Sequence, residues 1–130
     1  MTENKEMVKI HESNNWDEAL ENESWIAPVV DIYETEDDYF LVAKMAGVSK
    51  ENVKIKLEDG SLIVMGRINY DETVNRKYVL KETQTGNYYR KFKLSNSIQE
   101  EKIEANLENG ILNIKLPKHD RVKPKTIEIK

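Results

Sequence analysis

An enzyme needs at least one nucleophile, base or metal ligand poised beside a partner. The chain of 130 residues has two histidines, His11 and His119, and no cysteine. Both histidines fall in the terminal arms, where a solvent-facing imidazole is the ordinary reading rather than a general base. No serine sits in G-x-S-x-G, no G-x-x-x-x-G-K-[ST] offers a phosphate cradle, and no His or carboxylate spacing matches a metal loop. The lack of thiols removes disulfides, thiolate nucleophiles and most structural zinc frameworks. These residues argue against an enzyme and against ATP use, and they call for no cofactor.

The chemistry that remains is association. Ile127-Glu128-Ile129 places two β-branched residues at strand spacing near the end of a polar tail. Tail ends are normally polar and frayed, so exposed isoleucines there point to docking. Arg90 shares strand parity with Tyr88, Phe92 and Leu94, whereas Lys91 and Lys93 point the other way. A guanidinium on an apolar face must be paired, which predicts a carboxylate partner in its own subunit or across an interface. Lys54, Lys56, Tyr89, Lys91 and Lys93 interleave cations with an aromatic, a pattern open to a nucleic-acid-binding β-module.

These residues must be positioned by strands. The stretch 105–118 reads as a strand, a tight turn and a second strand: Ile103, Ala105 and Leu107 alternate with polar residues, Asn109-Gly110 turns, and Leu112, Ile114 and Leu116 share a parity until Pro117. Val53, Ile55 and Leu57, turned by Asp59-Gly60 into the apolar run Leu62–Met65, predict a second hairpin. Val30 and Ile32, with a turn at Asp37-Asp38 and then Tyr39–Met45, predict two further paired strands. A polar excursion over 69–75 then precedes Lys77-Tyr78-Val79-Leu80-Lys81 and is long for a compact sandwich. About eight short strands separated by turns predict an all-β antiparallel sandwich.

The spacing A-x-x-x-N-G-x-L at Ala105, Asn109, Gly110 and Leu112 resembles the α-crystallin domain of small heat-shock proteins. Gly86, Tyr88, Arg90, Phe92 and Leu94 also fit that family's G-x-F/Y-x-R-x-F-x-L pattern, although Ser95 stands where it has Pro, and Ala46-Gly47-Val48 replaces its Pro-Gly-Val. The resemblance implies an immunoglobulin-like sandwich over 27–118, a flexible N-terminal arm at 1–26, and a flexible tail at 119–130 carrying the I-x-I motif. It implies that Ile127 and Ile129 tie one dimer to another through a groove holding Val53, Ile55, Leu57, Ala105 and Leu107. It further implies a dimer made by exchange of Tyr78, Val79 and Leu80, with Arg90 near the interface; an ordinary intrachain loop is the alternative. The activity implied is that of an ATP-independent chaperone, a holdase that binds unfolding client proteins and passes them to ATP-dependent refolding chaperones. A p23-like co-chaperone would lack both the exchange loop and the tail motif.

Charge divides the chain. Residues 1–24 carry seven acids against Lys5 and Lys9, and the segment from Lys115 onward is basic. Such a tail is open to nucleic acid, but short charge runs ordinarily serve solubility, and no nucleic-acid partner is expected. In the arm, Ser13, Asn14 or Asn15 can cap a short helix whose Trp16, Ala19 and Leu20 fall on one face. The arm is either a frayed tail or a segment that binds subunits or clients, with Trp16, Leu20, Trp25 and Ile26 as the client-binding candidates. No apolar run approaches the roughly 18 residues of a membrane span, and the first residues lack a signal peptide's order. A cytoplasmic protein without stable membrane association is expected.

Overall fold

The computed structural model describes residues 16–129. Eight strands form two four-stranded sheets. Sheet A has the order β1-β6-β5-β4, from Trp25–Ile26, Asn87–Lys93, Ser61–Gly66 and Val53–Glu58. Sheet B has the order β2-β3-β8-β7, from Val29–Glu34, Asp38–Lys44, Ile111–Pro117 and Glu104–Glu108. All pairings are antiparallel except β1 with β6.

The two expected hairpins form for the expected reason. Asp59 and Gly60 have φ of 50° and 73°, and Asn109 and Gly110 have φ of 52° and 74°, the left-handed pair that a two-residue turn demands. Register then follows parity: Leu62 and Val64 on β5 and Leu112, Ile114 and Leu116 on β8 are buried in one core with Leu41 and Ala43 of β3. A one-residue slip would turn all of them outward.

One expected boundary shifts. Trp25 and Ile26, assigned to the arm, form strand β1, whose backbone is brought beside β6 by the Asn87 N–H to Ser24 carbonyl bond of 2.9 Å. Gly86 permits this approach, since a Cβ there would come within 3.0 Å of the Ser24 carbonyl oxygen. The sandwich therefore begins two residues before the expected boundary. Tyr78, Val79 and Leu80 form no strand within the subunit; helix α2 (Tyr70–Val74), capped by the Asn69 side chain, precedes them, and Val79 is fully exposed.

The arm's helix is present as α1 (residues 16–22). Its expected caps Ser13, Asn14 and Asn15, and His11, lie outside the described residues. At the other end the tail is tied at its root, where His119 N–H donates to Ser97 and Arg121 to the Asn96 carbonyl. A short 3-10 turn at Asp120–Val122 follows, and the chain then runs extended.

Candidate functional site

The cross-sheet stacking follows from one cleft. Ile32, Leu41 and Leu116 of sheet B line it with Leu62, Phe92 and Leu94 from the sheet A side, enclosing about 460 Å³. So β2 and β3 face β6, which places β8 over β5 and β7 over β4. The edge strands β4 and β7 thus share one side of the sandwich. On that side Val53, Ile55 and Leu107 are half-buried against the core, while Leu57 and Ala105 are exposed. All five expected groove residues are brought to this edge. Ile127 and Ile129, at 86% and 94% exposure, do not occupy it in their own subunit.

The opposite side carries β2, a free edge with Val29, Ile32 and Tyr33 exposed. Tyr33 stacks on Phe40 of β3 at 5.1 Å between ring centres. Arg90 follows its predicted parity: Tyr88, Arg90 and Phe92 are half-buried and Tyr89, Lys91 and Lys93 are exposed. Among the described residues its partner is not a carboxylate. Arg90 donates to the Pro28 carbonyl at 3.2 Å and lies over the Phe92 ring at 5.1 Å. A carbonyl and an aromatic face can satisfy a half-buried guanidinium that keeps contact with water.

The client-binding candidates are not a loose arm. Trp16 and Trp25 pack with ring centres 6.5 Å apart, and Trp25 Nε1 donates to the Ala19 carbonyl at 2.7 Å. Lys54 and Arg67 each stand 5.7 Å from the Trp16 ring centre. Ala19 is buried, and Leu20, at 42% exposure, lines a shallow hollow with Trp25, Ile26 and Tyr89.

Three polar residues that sequence reasoning missed hold this arrangement. Glu23 pairs with Arg67 at 3.3 Å and accepts from Asn87 Nδ2 at 2.7 Å, while Asn87 Oδ1 accepts from the Ile68 N–H at 3.0 Å. Asn87 is wholly buried, so its amide must be satisfied this way. No periodicity marks Glu23 or Arg67 in the sequence. A fourth missed residue did leave a signal: Lys118 continues the inward parity of Leu112, Ile114 and Leu116. It is buried, pairs with Glu34 and bonds the Thr35 carbonyl, both at 2.7 Å, and lies over Tyr39. The Lys118 hydrogen bond and charge hold the Glu34 carboxyl below its usual range.

Among the described residues no cluster of three or more His, Cys, Asp or Glu could hold a metal, and no helix is long and apolar enough to cross a membrane. A sequence profile of the Hsp20/alpha crystallin family matches residues 31–130. The chain belongs to this family. It is 38% identical over 104 residues to a probable 15 kDa heat shock protein of Leptospira interrogans, covering 80% of this chain and 77% of that one. It is 33% identical over 109 residues to small heat shock protein C4 of Rickettsia felis, covering 83% and 67%. Among solved structures it resembles a small heat-shock protein from Xylella fastidiosa, with a TM-score of 0.67, 25% identity, and coverage of 82% of this chain and 99% of that one. As a small heat-shock protein it is a chaperone of the stress response and not an enzyme.

Proposed function

We propose that this small heat-shock protein is an ATP-independent holdase of the cytoplasm, built as a homo-oligomer of dimers, which holds unfolding proteins for ATP-dependent refolding chaperones. The observation that carries this reading is the pair Ile127 and Ile129, exposed on an extended tail while a half-open apolar edge of matching character, Val53–Leu57 beside Ala105 and Leu107, lies uncovered. Each isoleucine buried in another subunit gains about 1.5 to 3 kcal/mol before the cost of ordering the tail. Each link is weak, and several in a closed assembly act together. Transient loosening then exposes apolar surface to clients, whose capture lowers the concentration of aggregating chains.

The dimer is made by exchange of the segment around Tyr78, Val79 and Leu80 onto a partner's edge strand. β1 has only two residues, and β4 and β7 flank the tail groove, which leaves β2 as the acceptor edge. Its exposed Val29 and Ile32 suit exchanged Val79 and Leu80. Arg90, near this side, would then meet a carboxylate only from the partner. The Xylella fastidiosa relative is described as having a distinct high order structure, which agrees with assembly beyond the dimer.

The test is suppression of light scattering from a heated client by purified protein without nucleotide. Suppression is the expected result. Strict dependence on ATP would overturn the holdase reading.

A further inference from the structure

The strand register gathers Lys54, Lys56, Lys91 and Lys93, with Tyr89, on one face. Lys54 pairs with Met65 and Met65 with Tyr89; Lys56 pairs with Ile63 and Ile63 with Lys91. Residues directly opposite one another across a ladder point the same way. The outer face of sheet A is therefore built of two rows with a buried apolar residue of β5 at the centre of each, flanked by Lys54 and Tyr89 in the first and by Lys56 and Lys91 in the second. Met65 is 2% exposed and Ile63 6%, although both point away from the core that Leu62 and Val64 fill.

A cover explains Met65. Trp16 meets Lys54 at one end of the first row, and Leu20 shares a hollow with Tyr89 at the other, so α1 crosses that row. The cover is acidic: Asp17, Glu18, Glu21 and Glu23 surround the apolar positions Trp16, Ala19 and Leu20. It is held by an aromatic ring set against two cations and by the Glu23–Arg67 pair, while Arg67 Nε is buried without a hydrogen-bond partner among the described residues. A helix of two turns has little stability of its own. The docked arm is thus a weak ligand on a surface that would outlast its departure.

We propose that the outer face of sheet A is a binding surface for acidic polypeptide segments with an aromatic or large aliphatic anchor, and that α1 is its resident occupant. The anchor sits over Met65 between Lys54 and Arg67, and the carboxylates of the segment meet the surrounding cations. This extends the holdase reading by naming a class of client segment, and rests on that reading only for the source of such segments. An oligonucleotide would match the cations but not the apolar centre, and the occupant seen is a segment of protein.

The experiment uses full-length protein and a fluorescent peptide with the sequence Asn14–Trp25, read by anisotropy. Ala19→Asp places a charge at the buried contact of α1 and should release it. Trp16 and Trp25 are the two tryptophans of the chain, so red-shifted emission with unchanged strand circular dichroism reports that release. If α1 covers the face in about nine molecules of ten, release tightens peptide binding about tenfold. Adding Lys54→Glu to the released variant should abolish that gain, and so should converting the peptide's acids to amides. Trp16→Ala removes the anchor without adding charge and answers the same question should Ala19→Asp fail to fold. Unchanged peptide affinity in a released variant would overturn the proposal, as would a gain insensitive to Lys54→Glu. Capture of single-stranded oligouridine in place of the peptide would also overturn it and assign the face to nucleic acid. The expected peptide binding without any suppression of aggregation would sink the holdase reading and leave this surface standing.

Discussion

The two ends of the chain carry segments of similar kind and opposite fate. Both are short, both carry apolar side chains at regular spacing, and neither has stability of its own. The N-terminal helix α1 is closed onto its own sandwich by Trp16 against Lys54 and Arg67 and by the Glu23, Arg67 and Asn87 cluster. The C-terminal isoleucines are almost fully exposed. Reach accounts for the difference. Only two residues separate α1 from β1, so its docking costs little loop entropy. The tail root is fixed to the 95–99 loop, and from there the chain runs extended through Pro124 with Ile127 and Ile129 left exposed. On the function proposed above, linkage to neighbours falls to the end that stays open.

The sharpest way to break this contrast is to remove the open end's side chains. Ile127→Ser with Ile129→Ser deletes every link at once, and native mass should fall from a large assembly to dimers with an unchanged circular dichroism spectrum. A wild-type protein that is already a bare dimer at micromolar concentration would sink the linkage.

Stability should respond in the reverse order. Ile114, wholly buried at the centre of sheet B, should cost about 2 to 5 kcal/mol on replacement by alanine, from lost burial and the cavity left behind. Ile127→Ala should leave the unfolding free energy of the isolated dimer unchanged. Denaturant titrations of the two variants, compared under conditions that hold both as dimers, decide this; equal losses would mean that the tail is docked within its own dimer.

How much of this was legible in the sequence depends on whether a local pattern or a distant partner set each feature. Asn109-Gly110 and Asp59-Gly60 fix their turns through φ alone, and the alternation on either side fixes register, so both hairpins and the core parity could be read directly. Helix α1 was legible from Trp16, Ala19 and Leu20, but its docking was not, because Glu23, Arg67 and Asn87 come from three separated stretches and acquire meaning only when β5 and β6 bring them together. Tyr78–Leu80 shows the converse. Its β-forming residues do predict a strand, yet a strand needs a partner edge, and within its own subunit the segment pairs with none among the described residues. The inward side of Arg90 followed from parity; its bond to the Pro28 carbonyl did not, since that depends on where β2 starts.

Arg90 gives the next smaller effect. Losing a charge-assisted bond to a carbonyl, and the stacking on Phe92, should cost about 1.5 to 3 kcal/mol on replacement by alanine. If a partner's carboxylate also meets the guanidinium, the loss is largest where the dimer is fully formed and shrinks as dilution dissociates it. Thermal unfolding at several concentrations separates the two contributions. No change in melting temperature or dimer mass would make Arg90 a surface residue.

The smallest effect is a pH dependence at Glu34. Its carboxyl is held below the ordinary glutamate range by the hydrogen bond and charge of Lys118, an ammonium buried over Tyr39. A carboxyl with a lowered folded-state pKa binds fewer protons when folded than when unfolded, so it adds stability above the unfolded value of about 4.3. That contribution is lost as the pH falls from there through the lower folded-state value. Glu34 itself is more than half exposed, and solvent screening keeps the contribution small. Glu34→Gln should therefore reduce stability slightly at neutral pH and flatten its decline below about pH 4.3. The basic side of the pair behaves differently, because Lys118 keeps its bond to the Thr35 carbonyl in either state of Glu34 and stays satisfied. Lys118→Met at the same buried position strands the Thr35 carbonyl as well, so its loss should exceed that of Glu34→Gln at neutral pH. Urea titrations of both variants at pH 7 and pH 4 check the order, and a steeper acid decline for Glu34→Gln than for the unmodified chain would reverse the assigned sign.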